Sequence, residues 1–238
     1  MNNLLKDNFN EALSFYEFNH SYYELINFLK VGNDVEKQMS ALKLEYVNSI
    51  DDAKSLCANL VDNDGKIREI VSFKLKEFVQ MPRLVSFFHD YIIYDILLKA
   101  VVDINGNVCR NVIMAIDILR SNIEFCDYFI PRLVVQAIDL SNVVSEFDLQ
   151  DGKYKTNKET FKLYWVLATI EKLCYNVSKQ DLLKVLTKAK SVQDYTIREK
   201  VAKILVCVDG DFDLIRKDLL NDENHFVRRH LRRYVNNC

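Results

Sequence analysis

Apolar residues recur at helical spacing along the whole chain. At six points an apolar residue is followed by another four positions later, which places both on one face of a helix. The six pairs are Val35/Met39, Ile67/Val71, Val108/Val112, Phe161/Trp165, Ile197/Val201 and Val227/Leu231. Successive openings lie 32, 41, 53, 36 and 30 residues apart, within the range of repeats built from helix pairs. The pattern predicts an all-α chain of about six stacked, antiparallel helix pairs, that is, an α-solenoid.

Short polar runs separate the predicted helices. The glycines in these runs are Gly32, Gly65, Gly106, Gly152 and Gly210. Asn and Asp in the same runs supply capping oxygens, and Pro82 and Pro131 are each expected in the first turn of a helix. The first helices of the pairs are predicted at 8–30, 51–61, 82–101, 131–147, 178–189 and 211–220. The second helices are predicted at 34–48, 66–80, 107–121, 158–174, 194–208 and 223–236.

An aspartate and an arginine recur around the start of the second helices. The matches are Asp62/Arg68, Asp222/Arg228 and, with a shorter gap, Asp194/Arg198. This arrangement resembles the HEAT-like helical repeat family. Repeats of that family are antiparallel helix pairs, often with an aspartate in the turn and an arginine near the start of the second helix. The third pair keeps Asp103 but has Cys109 in place of the arginine, and the first pair departs from the motif at Glu36.

The resemblance implies one HEAT-like domain over 1–238, with an aromatic-rich N-terminal capping helix and a basic C-terminal capping helix. It implies an armadillo-like interaction scaffold more often than an enzyme, although a minority of HEAT-like proteins are DNA glycosylases or chromophore lyases. No residue of this sequence carries over a role from those enzymes. We expect the repeated aspartates and arginines to form a ladder between adjacent repeats.

The composition fits an all-helical chain. Of 238 residues, 49% are apolar, but only five are glycine and two are proline. A β-sandwich or a Gly-rich nucleotide-binding fold would need more of both, because turns consume them. A net charge of −2 gives no strong overall attraction to nucleic acid or anionic membranes. Any such contact would need a local basic patch.

The cysteines and the apolar segments bear on the compartment. The six cysteines never lie closer than 17 residues, which excludes the short spacings of zinc sites and thioredoxin-like motifs. The start of the chain lacks the pattern of a secretory signal, and the most apolar run, 91–102, is too short to span a bilayer. We therefore expect a cytoplasmic protein with free thiols.

The sequence contains no recognisable catalytic, metal or cofactor motif. The Asp-rich turns around Gly65 and Gly210 lack the glycine and glutamate that a calcium loop requires. His225 and His230 are five residues apart, which is not the spacing of two ligands on one helix face. Phosphate-binding glycine loops are absent as well. We predict no cofactor, no metal and, as the leading hypothesis, no enzymatic activity.

The leading hypothesis is a scaffold that binds another protein along the concave face of the solenoid. The second helices are expected to form this face, and cations recur on them. Those expected to be exposed are Lys66, Lys74, Arg110, Lys162, Lys200 and Lys203. We predict that Lys162, Lys200, Lys203 and Arg110 bind the partner, which would be acidic or phosphorylated.

The alternative hypothesis is nucleic-acid binding by the last helix, with or without the base-excision chemistry of the DNA glycosylases. Val227 and Leu231 share one face of this helix. The other face carries Arg228, Arg229, Arg232 and Arg233. Arginine forks match phosphate geometry, but a charged outer face is also what keeps a terminal capping helix soluble.

Aromatic residues form two stripes on the first helix. Phe15 and Tyr22 lie seven residues apart, and so do Tyr16 and Tyr23. One stripe is enough to pack on the first repeat. The second stripe either widens the buried face or contacts a partner, because tyrosine is enriched at interfaces.

Overall fold

The protein is entirely helical in a computed structural model that describes residues 2–146 and 153–237. Side chains are described for 9–146 and 158–232. The described residues contain thirteen α-helices and no strand. The helices are α1 (Asn2–Glu17), α2 (Tyr22–Val31), α3 (Asp34–Lys43), α4 (Ile50–Ala58), α5 (Gly65–Val79), α6 (Tyr91–Ala100), α7 (Gly106–Leu119), α8 (Ile123–Glu146), α9 (Lys153–Leu173), α10 (Lys179–Ala189), α11 (Tyr195–Cys207), α12 (Asp213–Leu220) and α13 (His225–Asn237). Short 3₁₀ helices span Asn59–Val61 and Val85–Phe88.

The helices after α1 form the six predicted pairs, from α2/α3 to α12/α13. The chain divides into two compact units. Unit 1 comprises Met1–Ala100 and Asn105–Leu119, and unit 2 comprises Val101–Ile104 and Arg120–Cys238. The single domain over 1–238 stays a prediction.

Neighbouring helices of the same kind pack together within each unit. In unit 1 the second helices α3, α5 and α7 pack in chain order, and the first helices α2, α4 and α6 do the same. In unit 2, α9 packs on α11 and α11 on α13, while α8 packs on α10. Each unit therefore buries its apolar stripes against neighbours in sequence, as helical repeats do.

Four of the six predicted openings are buried, whereas Val35 and Met39 are half-buried and Phe161 is 36% exposed. Ile67 and Val71 in α5 are fully buried, as are Ile197 and Val201 in α11. Five of the six second helices begin after an Asn or Asp whose side chain accepts a backbone N–H near the helix start, for example Asp64 from Ile67 at 3.0 Å. The equivalent N-cap residues are Asn33, Asp64, Asn105, Asp194 and Asn224.

The helix predicted to begin at Pro131 begins earlier, so that prediction is wrong. Pro131 lies inside α8, which starts at Ile123. The side chain of Asn122 accepts the N–H of Phe125 at 3.0 Å and caps the helix. Phe125 and Phe129 are fully buried, and their burial outweighs the cost of a proline in the helix. Residue 147, the predicted end of this helix, and Gly152, the predicted turn, lie outside the described residues.

Two further predicted first helices are wrong in their extent. Pro82 lies in a turn that leads to the 3₁₀ helix at Val85–Phe88, and α6 begins only at Tyr91. The predicted helix over 8–30 is two helices, because α1 ends at Glu17 and α2 begins at Tyr22. Ser21 caps α2 in a reciprocal hydrogen-bond pattern with Glu24, which favours a new helix start at this point.

Candidate protein-binding surface

A cation four residues after the N-cap holds the turn at the start of several second helices. The Nη1 atom of Arg68 donates to the backbone oxygens of Asp62 at 2.9 Å and Asn63 at 3.0 Å. Arg198 makes the same pair of bonds with Val192 and Gln193. Arg228 repeats them with Asp222 and Glu223. The predicted motif arginines therefore act first as clamps on their own turns.

The predicted ladder between adjacent repeats is confirmed at one place and extended at another. Arg198 donates from Nε to the Asp222 carboxylate in the next repeat at 2.6 Å. Lys37 reaches Asp62 in the next repeat at 2.7 Å. Lys37 stands four residues after the cap Asn33, so it occupies the arginine position in the first pair. The position of Lys37 relative to the apolar opening Val35 does not show this equivalence to the motif arginines, whereas its position relative to the N-cap Asn33 does.

The ladder aspartates are half-buried and ionised. Burial alone would raise the pKa of Asp222, but hydrogen bonds from Arg198 and from the backbone N–H of Asn224 hold that pKa below its usual range. Asp62 behaves alike: hydrogen bonds from Lys37 and from the N–H of Asp64 outweigh burial and lower its pKa. Both carboxylates are therefore charged partners of cations in the ladder.

The three lysines predicted to bind a partner are all engaged in ion pairs of unit 2. Lys162 lies 2.8 Å from Glu159, and Lys203 lies 3.1 Å from Glu199. Lys200 lies 2.7 Å from Glu171 on α9. The expectation that Lys200 is exposed is wrong, since only 9% of it is accessible. Its ammonium group lies 5.0 Å from the centroid of the Tyr164 ring. The binding role of the three lysines stays a prediction.

Unit 1 presents a different second-helix surface, which is apolar. The ninth residue after the N-cap is Leu42 in α3, Phe73 in α5 and Met114 in α7. These side chains are 47%, 44% and 48% exposed, although their helices pack side by side. Together with Ile70 they line a groove of about 470 Å³.

The fourth predicted residue, Arg110, lies on the rim of this groove. Its Nη2 donates to the Asn107 side-chain oxygen at 2.8 Å. Asn107 in turn donates to Glu69 at 2.7 Å, and Glu69 also accepts from Asn105 at 3.0 Å. The rim thus carries one exposed cation, one carboxylate that is already hydrogen-bonded, and side-chain amides. Arg110 is not brought together with Lys162, Lys200 or Lys203 in unit 2.

Some of the arginines of the basic helix α13 interact with other residues of unit 2. Val227 and Leu231 are buried, as the predicted apolar face requires. Arg229 lies 3.4 Å from Glu199 and stacks near the ring of Phe226. Arg232 is exposed, and the side chain of Arg233 lies outside the described residues. With Arg228 clamped to its own turn, Arg232 is the described arginine of this set that faces solvent most openly.

The two aromatic stripes at the start of the chain differ in exposure. Phe15 is buried and Tyr22 is half-buried, with its hydroxyl donating to Asp52 at 2.7 Å. Tyr16 and Tyr23 are 65% and 82% exposed. The buried stripe packs on unit 1, while contact of the second stripe with a partner stays a prediction.

A metal-holding cluster and a membrane-spanning helix are both absent from the described residues. Among them, no three His, Cys, Asp or Glu side chains cluster in a way that could hold a metal ion. No helix within the described ranges is both long and apolar enough to cross a membrane. What the described surface does offer is an apolar groove with a polar rim, which suits binding.

Comparison with known proteins bears on the fold. No protein-family model and no curated protein matches this sequence. The crystal structure of one engineered protein matches over 92% of this chain and 98% of its own, with 15% identity and a TM-score of 0.52. The chain is an α-solenoid by fold. Another engineered protein and a designed armadillo repeat protein match with TM-scores of 0.45 and 0.44, each at 13% identity. They cover 90% and 89% of this chain, and 94% and 97% of their own.

Sequence reasoning missed the apolar groove of this α-solenoid. The sequence prediction placed cations on the exposed face of the second helices and their apolar residues in the core. The signal that identifies Leu42, Phe73 and Met114 is their constant distance from an Asn or Asp cap. A residue nine positions after the cap lies two and a half helical turns from it. Its side chain therefore points away from the face that carries the buried positions, three and seven residues after the cap.

Proposed function

We propose that the protein is a non-enzymatic scaffold that binds another protein through the second helices of unit 1. The observation that carries the proposal is the row of Leu42, Phe73 and Met114. Three adjacent helices expose one large apolar side chain each, at an equivalent position, into one groove. Exposed apolar side chains scattered singly are ordinary, but a contiguous row with a polar rim is typical of an interaction site.

The lining of the groove indicates the chemistry of the partner. Leucine, phenylalanine and methionine bury apolar side chains, and methionine adapts to irregular shapes. Arg110 on the rim favours a carboxylate or a phosphate at one end of the bound segment. Glu69 does not require a cation on the partner, because its carboxylate already accepts hydrogen bonds from two asparagines. We therefore propose an amphipathic protein segment with apolar anchors and one acidic group.

The proposal is tested by affinity capture from the native host with matched variants. Phe73→Glu places a charge in the centre of the groove, so a partner captured by the wild-type protein should be lost. Ile92→Glu is the control, because Ile92 is 56% exposed on the first helix α6 of the same unit. A partner that survives Phe73→Glu, or is lost equally with Ile92→Glu, would contradict the proposal.

Nucleic-acid binding remains as a separate prediction for α13. It is tested by a gel-shift assay at low salt with Arg232→Glu as the variant, since phosphate contacts lose affinity steeply as salt rises. No shift of the wild-type protein at low salt would remove this alternative.

A further inference from the structure

Two cysteines lie together where α9 and α11 end in unit 2. Cys174 directly follows the last residue of α9, and Cys207 is the last residue of α11. The two helices pack against each other, and Cys174 lies close enough to Cys207 for a hydrogen bond to lower the pKa of the Cys207 thiol against the effect of burial. Cys174 is 3% exposed, whereas Cys207 is half-buried. One thiol of the pair is therefore open to a small reagent, and the second lies directly behind it.

Three other cysteines have different surroundings. Cys57 and Cys109 are fully buried. Cys126 donates its thiol to the backbone oxygen of Arg120 at 3.2 Å. These thiols provide internal controls for any reaction that is specific to the pair.

We propose that Cys174 and Cys207 form a reversible disulfide when the protein meets hydrogen peroxide. In the first step the Cys207 thiolate attacks one peroxide oxygen, an S–O bond forms, the O–O bond breaks, and the departing hydroxide takes a proton to become water. In the second step the Cys174 thiolate attacks the Cys207 sulfur, the S–S bond forms, and the S–O bond breaks. The second hydroxide leaves as water with the proton from Cys174. Two thiols are oxidised and one peroxide is reduced to two waters.

The surroundings of the pair set the rate of this reaction. Burial raises the pKa of Cys207, and the Glu171 carboxylate raises it further, against smaller opposing effects of the hydrogen bond with Cys174 and of Lys172. Burial and the neighbouring Cys207 raise the pKa of Cys174, against a smaller effect of Arg120. Because the thiolate is the nucleophile, the rate should rise about tenfold per pH unit below the thiol pKa. The pair thus responds to sustained rather than brief oxidant exposure.

The site is tested by treating the folded full-length chain with hydrogen peroxide, blocking the remaining thiols and mapping peptides by mass spectrometry. The expected product is a peptide pair linked through Cys174 and Cys207, which dithiothreitol separates. Cys174→Ser should leave Cys207 as a sulfenic acid that dimedone traps. Cys126→Ser should leave the linkage unchanged. The thermal midpoint of the linked protein should rise, because the bond joins two packed helices.

A second variant tests the effect of the Glu171 charge on Cys207; because Glu171 also pairs with Lys200, circular dichroism checks that this variant is folded. Glu171→Gln removes the negative charge beside Cys207, so its pKa falls and the linkage should form faster at the same pH. Dimedone adducts on Cys207 in the wild-type protein without the 174–207 linkage would overturn the proposal. So would a linkage of Cys207 to any other cysteine, or complete resistance of both thiols to peroxide.

Discussion

A cation one turn into a second helix stabilises its own turn and the neighbouring repeat at the same time. Arg198 binds two backbone oxygens of its own turn and the Asp222 carboxylate of the next repeat. The arginine is 8% exposed, and the side chain of Asp222 is 7% exposed. Water replaces lost partners poorly at such a site, so the pair is expensive to break.

The first prediction follows from this burial. Arg198→Ala leaves Asp222 without its ion-pair partner and should lower the free energy of unfolding by about 3 kcal/mol. Lys184→Ala is the control, because Lys184 pairs with Asp181 at the surface with 51% of its side chain exposed, and such pairs contribute about 0–1 kcal/mol. Urea denaturation of both variants measures the difference. Equal losses would contradict the role of Arg198.

A second residue-scale prediction concerns pH. Despite burial, Arg198 and the Asn224 N–H hold the pKa of Asp222 below its usual range in the folded protein. A lowered folded-state pKa contributes stability above the unfolded-state value of about 3.9, and that stability is lost as the pH falls through the folded-state pKa. The stability gap between wild type and Asp222→Asn should therefore be largest above about pH 5 and narrow in more acidic solution. A gap that widens in acid would contradict it.

At this scale the sequence predicted the Arg198–Asp222 contact but missed Lys37–Asp62. The motif was counted from apolar openings, and Glu36 broke that count in the first pair. The N-cap is the better origin, because its hydrogen bond fixes where the helix starts. The Lys200–Glu171 ion pair could not be predicted, since the two residues are far apart in sequence and meet only through helix packing. The pairs Lys162–Glu159 and Lys203–Glu199 lie three and four residues apart on one helix, so their spacing could have predicted them.

At the scale of elements, the two Pro-Arg-Leu-Val segments show how context decides a helix start. Pro82 lies in a turn, whereas Pro131 lies inside α8. In α8 the neighbouring Arg132 donates to the backbone oxygen of Tyr128 at 2.8 Å and lies over its ring. Identical tetrapeptides gave identical sequence predictions, but Pro82 follows the end of α5 at Val79, whereas Pro131 comes eight residues after the start of α8 at Ile123.

The third prediction uses this pair of prolines. Pro131→Ala restores a helical N–H at an exposed site and should raise the free energy of unfolding by about 1–3 kcal/mol. Pro82→Ala raises the conformational entropy of the unfolded chain without improving a helix. It should therefore lower the free energy of unfolding by about 0.5–1 kcal/mol. Denaturant melts of the two variants test the opposite signs. Destabilisation by Pro131→Ala would contradict the account of α8.

The end of α1 depends on one lysine of α3. The Nζ atom of Lys43 donates to the backbone oxygens of Phe18 at 2.6 Å, Tyr16 at 3.0 Å and Phe15 at 3.4 Å. A cation at this end satisfies carbonyls that have no partner in the helix and favours the helix dipole. The break at this point separates α1 from α2.

The fourth prediction tests this cap. Lys43→Met should weaken α1 by about 1–2 kcal/mol, seen as faster amide hydrogen exchange in α1. Lys30→Met, at an exposed position of α2, is the matched control and should leave exchange in α1 unchanged. Unaltered protection of α1 in Lys43→Met would show that packing alone holds this helix.

At the scale of the whole molecule, the two units expose different chemistry on equivalent helices. The position nine residues past the cap is apolar in unit 1, with Leu42, Phe73 and Met114, but it is Lys203 in α11 of unit 2. The all-helical fold and the six helix pairs could be predicted, because apolar residues spaced four positions apart mark the face of a helix that is buried. The groove could not, because exposure of an apolar residue depends on which neighbours cover it.

Photo-crosslinking in the native host tests the proposed binding surface most directly. A photoreactive phenylalanine analogue is placed at position 73 in the groove or, as the control, at position 92 on α6. We expect covalent adducts with a partner protein at position 73, and these adducts should be lost when Met114→Glu is added. No adduct with that partner should form at position 92. Adducts with the same partner at position 92, or none at position 73, would contradict the proposal.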